Sequence, residues 1–215
     1  MAGSFIQGAI PVLGNSLCIL SLGGPLAPVA PQVSGSGSAG IVAVNKGTTI
    51  SAESCTASSC RGGAGLAALH GARLTAKACH VTKSGGDGFL SEGQGSVLEA
   101  GPGCTSEGTG HHGFCALDGG NLTAGEGCRA VKSDECGFRA AGPQAVVTLG
   151  KGCRAEQAGA DGFAAAEGGT LRVAARCVSS KCQVRTGRRH ASDTGRTNVS
   201  CPWWHQLAAT ASMRL

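Results

Sequence analysis

The sequence has no tyrosine, two tryptophans and five phenylalanines, so aromatic residues make up 3% of 215 positions. Charged residues reach only 14%. A conventional globular core built on large anchors is excluded by so small a stock. Residues 1–40 contain no Lys, Arg, Asp or Glu at all. That absence does not make them a membrane span, because Gly8, Pro11, Gly14, Asn15, Gly23, Gly24 and Pro25 interrupt every apolar run. A signal peptide using Leu17 to Leu22 lacks the basic start such peptides carry. The expectation is an uncharged cap or lead-in over 1–40, in an intracellular chain, with secretion as the alternative.

What the sequence does have is glycine, 37 residues, and cysteine, 12 residues. Six of the cysteines, Cys55, Cys79, Cys104, Cys128, Cys153 and Cys177, are separated by 24, 25, 24, 25 and 24 residues. A glycine followed by an apolar residue recurs with them: Gly40-Ile41, Gly65-Leu66, Gly88-Phe89, Gly113-Phe114, Gly137-Phe138 and Gly162-Phe163. A second apolar column, Ile50, Leu74, Leu98, Leu122, Val147 and Leu171, precedes each cysteine by five or six residues. A period of this size decides architecture before any other feature does.

Each unit holds three short pieces in which small apolar residues are two apart, as in Phe114 and Ala116, Leu122 and Ala124, Cys128 and Ala130. Period-two spacing puts each pair on one face of a strand. Gly-Gly, Gly-Glu-Gly and Ser-Asp-Glu stretches separate the pieces and suit turns. Three strands and three turns make one coil of a parallel β-helix, and coils stack at about 4.8 Å. The unit lacks the L-x-x-L-x-L frame of leucine-rich repeats and is too glycine-rich for helical repeats. The fold class expected is all-β, a right-handed parallel β-helix of about six coils with 24–25-residue repeats over 41–184.

Residues 185–215 break the pattern. Five arginines against Asp193 leave this tail at +4 out of a whole-chain +5. Trp204, Leu207, Ala208, Ala211 and Leu215 fall at helical spacing after Pro202. A short C-terminal capping helix is expected there, because solenoid ends need covering. The arginines lack interleaved aromatics, so no nucleic-acid partner is expected.

The repeats resemble the right-handed parallel β-helix, pectate-lyase-like, repeat family through the recurrent Gly-Phe, the Leu122-Thr123-Ala124 piece and the cysteine ladder. The resemblance covers about two thirds of the chain. It implies architecture, and the family's scaffold carries polysaccharide lyases and hydrolases, adhesins and non-catalytic interaction repeats alike. No Asp-Asp pair, Asn-Thr-Asp or Arg-Ile-Lys string of the polygalacturonase type is present, so no catalytic residue carries over.

Chemical candidates are few. Stacking would bring the turn residues Asp87, His112 and Asp161 into one acidic-histidine strip, a candidate ligand-binding site, although a solvated turn edge is the favoured explanation of it. The six ladder cysteines read as buried reduced thiols, since stacked side chains point the same way and suit a disulfide dihedral poorly. Cys60 and Cys182 belong to a small-residue column with Ser84, Thr109, Ser133 and Ala158. Cys-x4-Cys is poor zinc spacing, so neither a metal nor a cofactor is expected. An outward hydroxyl column, Ser51, Thr75, Thr123 and Thr148, is interrupted by Glu99 and Arg172. Glu107 with Arg129, and Glu156 with Arg154, read as surface ion pairs. Asn121-Leu-Thr and Asn198-Val-Ser match the glycosylation pattern, which matters only in a secreted chain. The reading is a non-catalytic module for protein or glycan interaction, or a structural role. A polysaccharide-active enzyme is the alternative.

Overall fold

The computed structural model describes residues 32–182, together with the strands Ala9–Val12, Ser16–Ile19, Gly24–Pro25 and Asn198–Ser200. The described residues form an all-β parallel solenoid. Coil 1 spans residues 41–65, coil 2 66–88, coil 3 89–113, coil 4 114–137, coil 5 138–162, and coil 6 163–182. The first strands of the coils build sheet 1 (Ile41–Val44, Leu66–Leu69, Phe89–Glu92, Phe114–Leu117, Phe138–Ala141, Phe163–Ala166). The second strands build sheet 2, from Thr48–Glu53 to Thr170–Val173, and the third build sheet 3, from Thr56–Ser58 to Val178–Ser180.

Every contact between these successive coils is parallel and in register. Phe89 lies between Leu66 and Phe114, and Leu98 between Leu74 and Leu122. Before coil 1, Ser16–Ile19, Gly24–Pro25 and Gln32–Ser34 extend the three sheets in parallel, and Ala9–Val12 pairs antiparallel with Ser16–Ile19. Asn198–Ser200 adds a parallel strand beside Thr170–Arg172 on sheet 2. The helix expected after Pro202 lies outside the described residues.

Three interior columns fill the tube. The rings of Phe89, Phe114, Phe138 and Phe163 stack at centroid spacings of 4.5, 4.8 and 5.4 Å. The Leu column and the cysteine ladder are buried beside them, with small residues between. A tube this narrow leaves room for one large side chain per coil on sheet 1, so the partner positions are alanines and one serine. The ladder cysteines are reduced and form no disulfide among the described residues. Each donates to a corner carbonyl, as Cys128 Sγ does to Gly101 O at 3.2 Å and Cys153 Sγ to Gly125 O at 3.2 Å. The neighbouring ladder thiols, together with burial, hold Cys79, Cys128 and Cys177 above the ordinary thiol range.

The corners are made by left-handed residues. The residue before each ladder cysteine has positive φ: Ser54, Ala78, Gly103, Gly127, Gly152 and Arg176. At the sheet 1 to sheet 2 corner, pairs such as His70-Gly71 and Asp118-Gly119 are both left-handed, as a type I′ turn requires.

Four buried hydroxyls, those of Ser91, Ser106, Thr109 and Ser133, have no hydrogen-bond partner among the described residues. Ser91 sits between Ala68 and Ala116 in its column, so alanine fits its place. Removing an unsatisfied buried hydroxyl relieves its desolvation cost. Ser91→Ala is therefore expected to raise the unfolding free energy by about 1 kcal/mol, read as a higher denaturant midpoint. A lower midpoint would mean the hydroxyl is satisfied after all.

Candidate functional site

The residue before each Gly-Phe glycine forms a turn column: Ala64, Asp87, His112, Cys136 and Asp161. Its backbone carbonyls accept from the glycine one coil back. Gly65 N bonds Asp87 O at 2.9 Å, Gly88 N bonds His112 O at 2.8 Å, and Gly113 N bonds Cys136 O at 3.0 Å. Its amides donate to side chains of the same column. His112 N–H donates to Asp87 Oδ1 at 2.9 Å, and Cys136 N–H donates to His112 Nδ1 at 3.1 Å. The backbone of Asp161 likewise bonds the Cys136 thiol. A buried polar side chain here is tolerated because the next coil supplies its donor.

Asp87 and His112 are thus brought together, each about 7% exposed. Asp161 is exposed and lies outside this cluster. The third member is Cys115. It points outward from Phe114–Leu117, between Leu90 and Arg139, and is nevertheless fully buried. The ligand-capable atoms of Asp87, His112 and Cys115 all lie within 4.8 Å of one another. Glu135, half exposed at the rim, brings Oε2 to 3.3 Å from His112 Nε2.

Burial dominates the electrostatics. It pushes the Asp87 carboxyl up to about 6, against the His112 amide and the nearby His111. It pulls His112 down to about 4, helped by Arg139 and His111. It pushes the Cys115 thiol well up, with the Asp87 charge adding to the effect. The imidazole is accordingly neutral at pH 7. Since a backbone N–H only donates, Nδ1 carries the lone pair and Nε2 the proton that faces Glu135. Carboxylate, imidazole and thiol are a donor set for a borderline-soft cation.

The sequence alone does not single out Cys115. The available signal was its place: in Phe114-Cys115-Ala116-Leu117 the alternation turns cysteine outward, away from the ladder. The surface ion pairs also differ from those expected. Glu107 meets Lys132 at 3.6 Å, and Glu156 meets Arg129 at 3.2 Å. Arg129 reaches diagonally to the following coil, which takes it from Glu107 and displaces Arg154 from Glu156. Arg73 and Glu99 pair across sheet 2 at 2.6 Å.

On the outer face of sheet 2, the column Ser51, Thr75, Glu99, Thr123, Thr148 and Arg172 keeps one register. A shallow groove of about 370 Å³ crosses it, lined among others by Thr75, Lys77, Glu99, Pro102 and Thr123. Among the described residues, no helix is long and apolar enough to cross a membrane. No protein-family model, curated protein or solved structure matches the chain, and its likeness to the pectate-lyase-like repeats is that of a parallel β-solenoid of about six coils.

Proposed function

We propose that this chain is a non-catalytic solenoid module that docks a protein partner on the outer face of sheet 2. The observation that carries the reading is the make-up of that face. It keeps one register over six coils and mixes hydroxyls with charges of both signs along a shallow groove. Its central acid, Glu99, is neutralised by Arg73. Cleaving a glycosidic bond hydrolytically takes two carboxyl groups facing one cleft, and an acid held in an ion pair is poorly placed for that work. The residues with the most catalytic character, Asp87 and His112, are buried where a polymer chain does not reach. Sugar rings dock by stacking on exposed aromatic faces. The rings of Phe89, Phe114 and Phe138 lie inside the tube, and Phe163 packs against the same core. Among the described residues, that favours a protein over a glycan.

A photo-crosslinker at Thr123 is expected to give one saturable protein adduct in native extract, competed by unlabelled chain. The same group at Thr105 on sheet 3 should give none. The enzymatic alternative rests on scaffold analogy. Turnover of pectin, alginate or a related polymer, abolished by His112→Ala, would establish it and overturn the docking reading.

A further inference from the structure

We propose that Asp87, His112, Cys115 and Glu135 form a closed site for one divalent metal ion of the zinc type, which staples coils 2, 3 and 4 together. Three of the four donors are already gathered, buried, within 4.8 Å of one another. The fourth stands at the rim. The 3.3 Å between His112 Nε2 and Glu135 Oε2 is the edge of a tetrahedron whose metal–ligand bonds are about 2.0 Å. The half-exposed Glu135 also gives the ion its way in from solvent.

The chemistry of the donors chooses the ion. Calcium and magnesium want oxygen ligands throughout. One thiolate, one imidazole and two carboxylates suit zinc, with cobalt(II) as its spectroscopic stand-in. The charges nearly close. Asp87, Glu135 and the Cys115 thiolate supply three negative charges. The ion supplies two positive charges, and Arg139, the register partner of Cys115, adds a third that it shares with Glu167 at 3.7 Å, so the cluster keeps about one negative charge at its exposed rim. Four protein ligands leave no open position, which marks a structural site rather than a catalytic one. The inference is independent of the docking reading and goes beyond it.

Binding has a definite proton account. Cys115 gives up its thiol proton. On His112 the proton leaves Nε2 for the metal and Nδ1 takes one, so the ring stays neutral. The Cys136 N–H then loses the acceptor it has in the metal-free arrangement. A metal that binds here must therefore loosen that one amide while tightening the three coils around it.

The test uses the full chain, stripped with chelator and titrated with cobalt(II). One equivalent is expected to bind with a thiolate-to-metal charge-transfer band, and zinc should displace it. Amide exchange at Cys136 should quicken on binding. Cys115→Ser is expected to remove the band and weaken binding by about 100-fold, since outer-shell partners alone are worth roughly 10–100-fold. Asp87→Asn should weaken binding while keeping the band. The ladder thiols serve as the folding control, because in a folded variant they stay shielded from alkylation. Absence of stoichiometric binding to folded wild-type chain would overturn the site. So would a band that survives Cys115→Ser but is lost in Cys104→Ser, which would place the metal on the ladder.

Discussion

Replacing Phe114 with alanine is expected to lower the unfolding free energy by about 4 kcal/mol, within the roughly 3–5 kcal/mol typical of buried Phe→Ala changes. The residue is fully buried in the middle of the ring column. Its ring faces Phe89 at 4.5 Å on one side and Phe138 at 4.8 Å on the other, with interplanar angles of 1° and 9°. Each aromatic contact adds about 0.5–1.5 kcal/mol beyond the area buried. The void left behind has little means of closing. Backbone bonds above and below, such as Phe89 N to Gly113 O and Phe114 N to Gly137 O, both 2.9 Å, fix the coil spacing. A cavity that cannot collapse costs the most. Phe163→Ala is the natural comparison. That ring is only half-buried and, among the described residues, stacks on one neighbour, Phe138, at 5.4 Å. Its loss is expected to be about half as large. Denaturant midpoints of the two variants measure the difference. A Phe114→Ala cost below about 1 kcal/mol would mean that the core re-forms around the gap, and the rigid-column account would fail.

How much of this was legible in the sequence follows from what a repeat can encode. The 24–25-residue period, the Phe and Leu columns and the period-two alternation fix which residues share a column. Stacking turns each column into a ladder, so the three sheets and the buried cysteines could be read directly. What a period cannot encode is the choice a side chain makes among neighbours at similar distance. Arg129 lies diagonal to both Glu107 and Glu156, and only the folded geometry sends it to Glu156. Cys115 is a second case. Alternation turns it outward, and outward ordinarily means exposed. It is buried because the turn carrying Asp87 and His112 folds over that part of sheet 1, a contact between columns rather than within one. Asp87 and Asp161 show the same limit from the other side. They occupy one column, yet Asp87 is buried two coils inside the solenoid and Asp161 is exposed near its described end. A column assigns equivalence of backbone and leaves the surroundings open.

The glycine of each Gly-Phe pair invites the same explanation as the turn glycines, and the structure supplies a different one. Gly113 lacks the positive φ that marks Gly127 or Gly152. Its requirement is space. A Cβ there would lie 2.5 Å from Ala130 Cβ and 2.6 Å from Gly137 O, the carbonyl that accepts from Phe114 N. Gly137 meets the same obstacle in Ala155 and Gly162 O, so the recurrence marks where sheet 3 presses against the start of sheet 1. Gly113→Ala must push coil 3 away from both a side chain and a backbone carbonyl of coil 4 and is expected to cost about 3 kcal/mol or more, the upper end for overpacking. Gly127→Ala separates the two kinds of glycine. Nothing lies within 4 Å of its added carbon, but φ is +69°, so only the left-handed penalty of about 1–2 kcal/mol applies. The ordering of the two midpoints decides between space and conformation. The double variant Gly113→Ala with Ala130→Gly sharpens it. Taking away the Ala130 carbon relieves one of the two collisions and leaves the one with Gly137 O. Partial recovery of the midpoint is therefore the expected result. No recovery would mean that the carbonyl contact alone sets the cost, and full recovery that the ladder bond from Phe114 yields more easily than its 2.9 Å length implies.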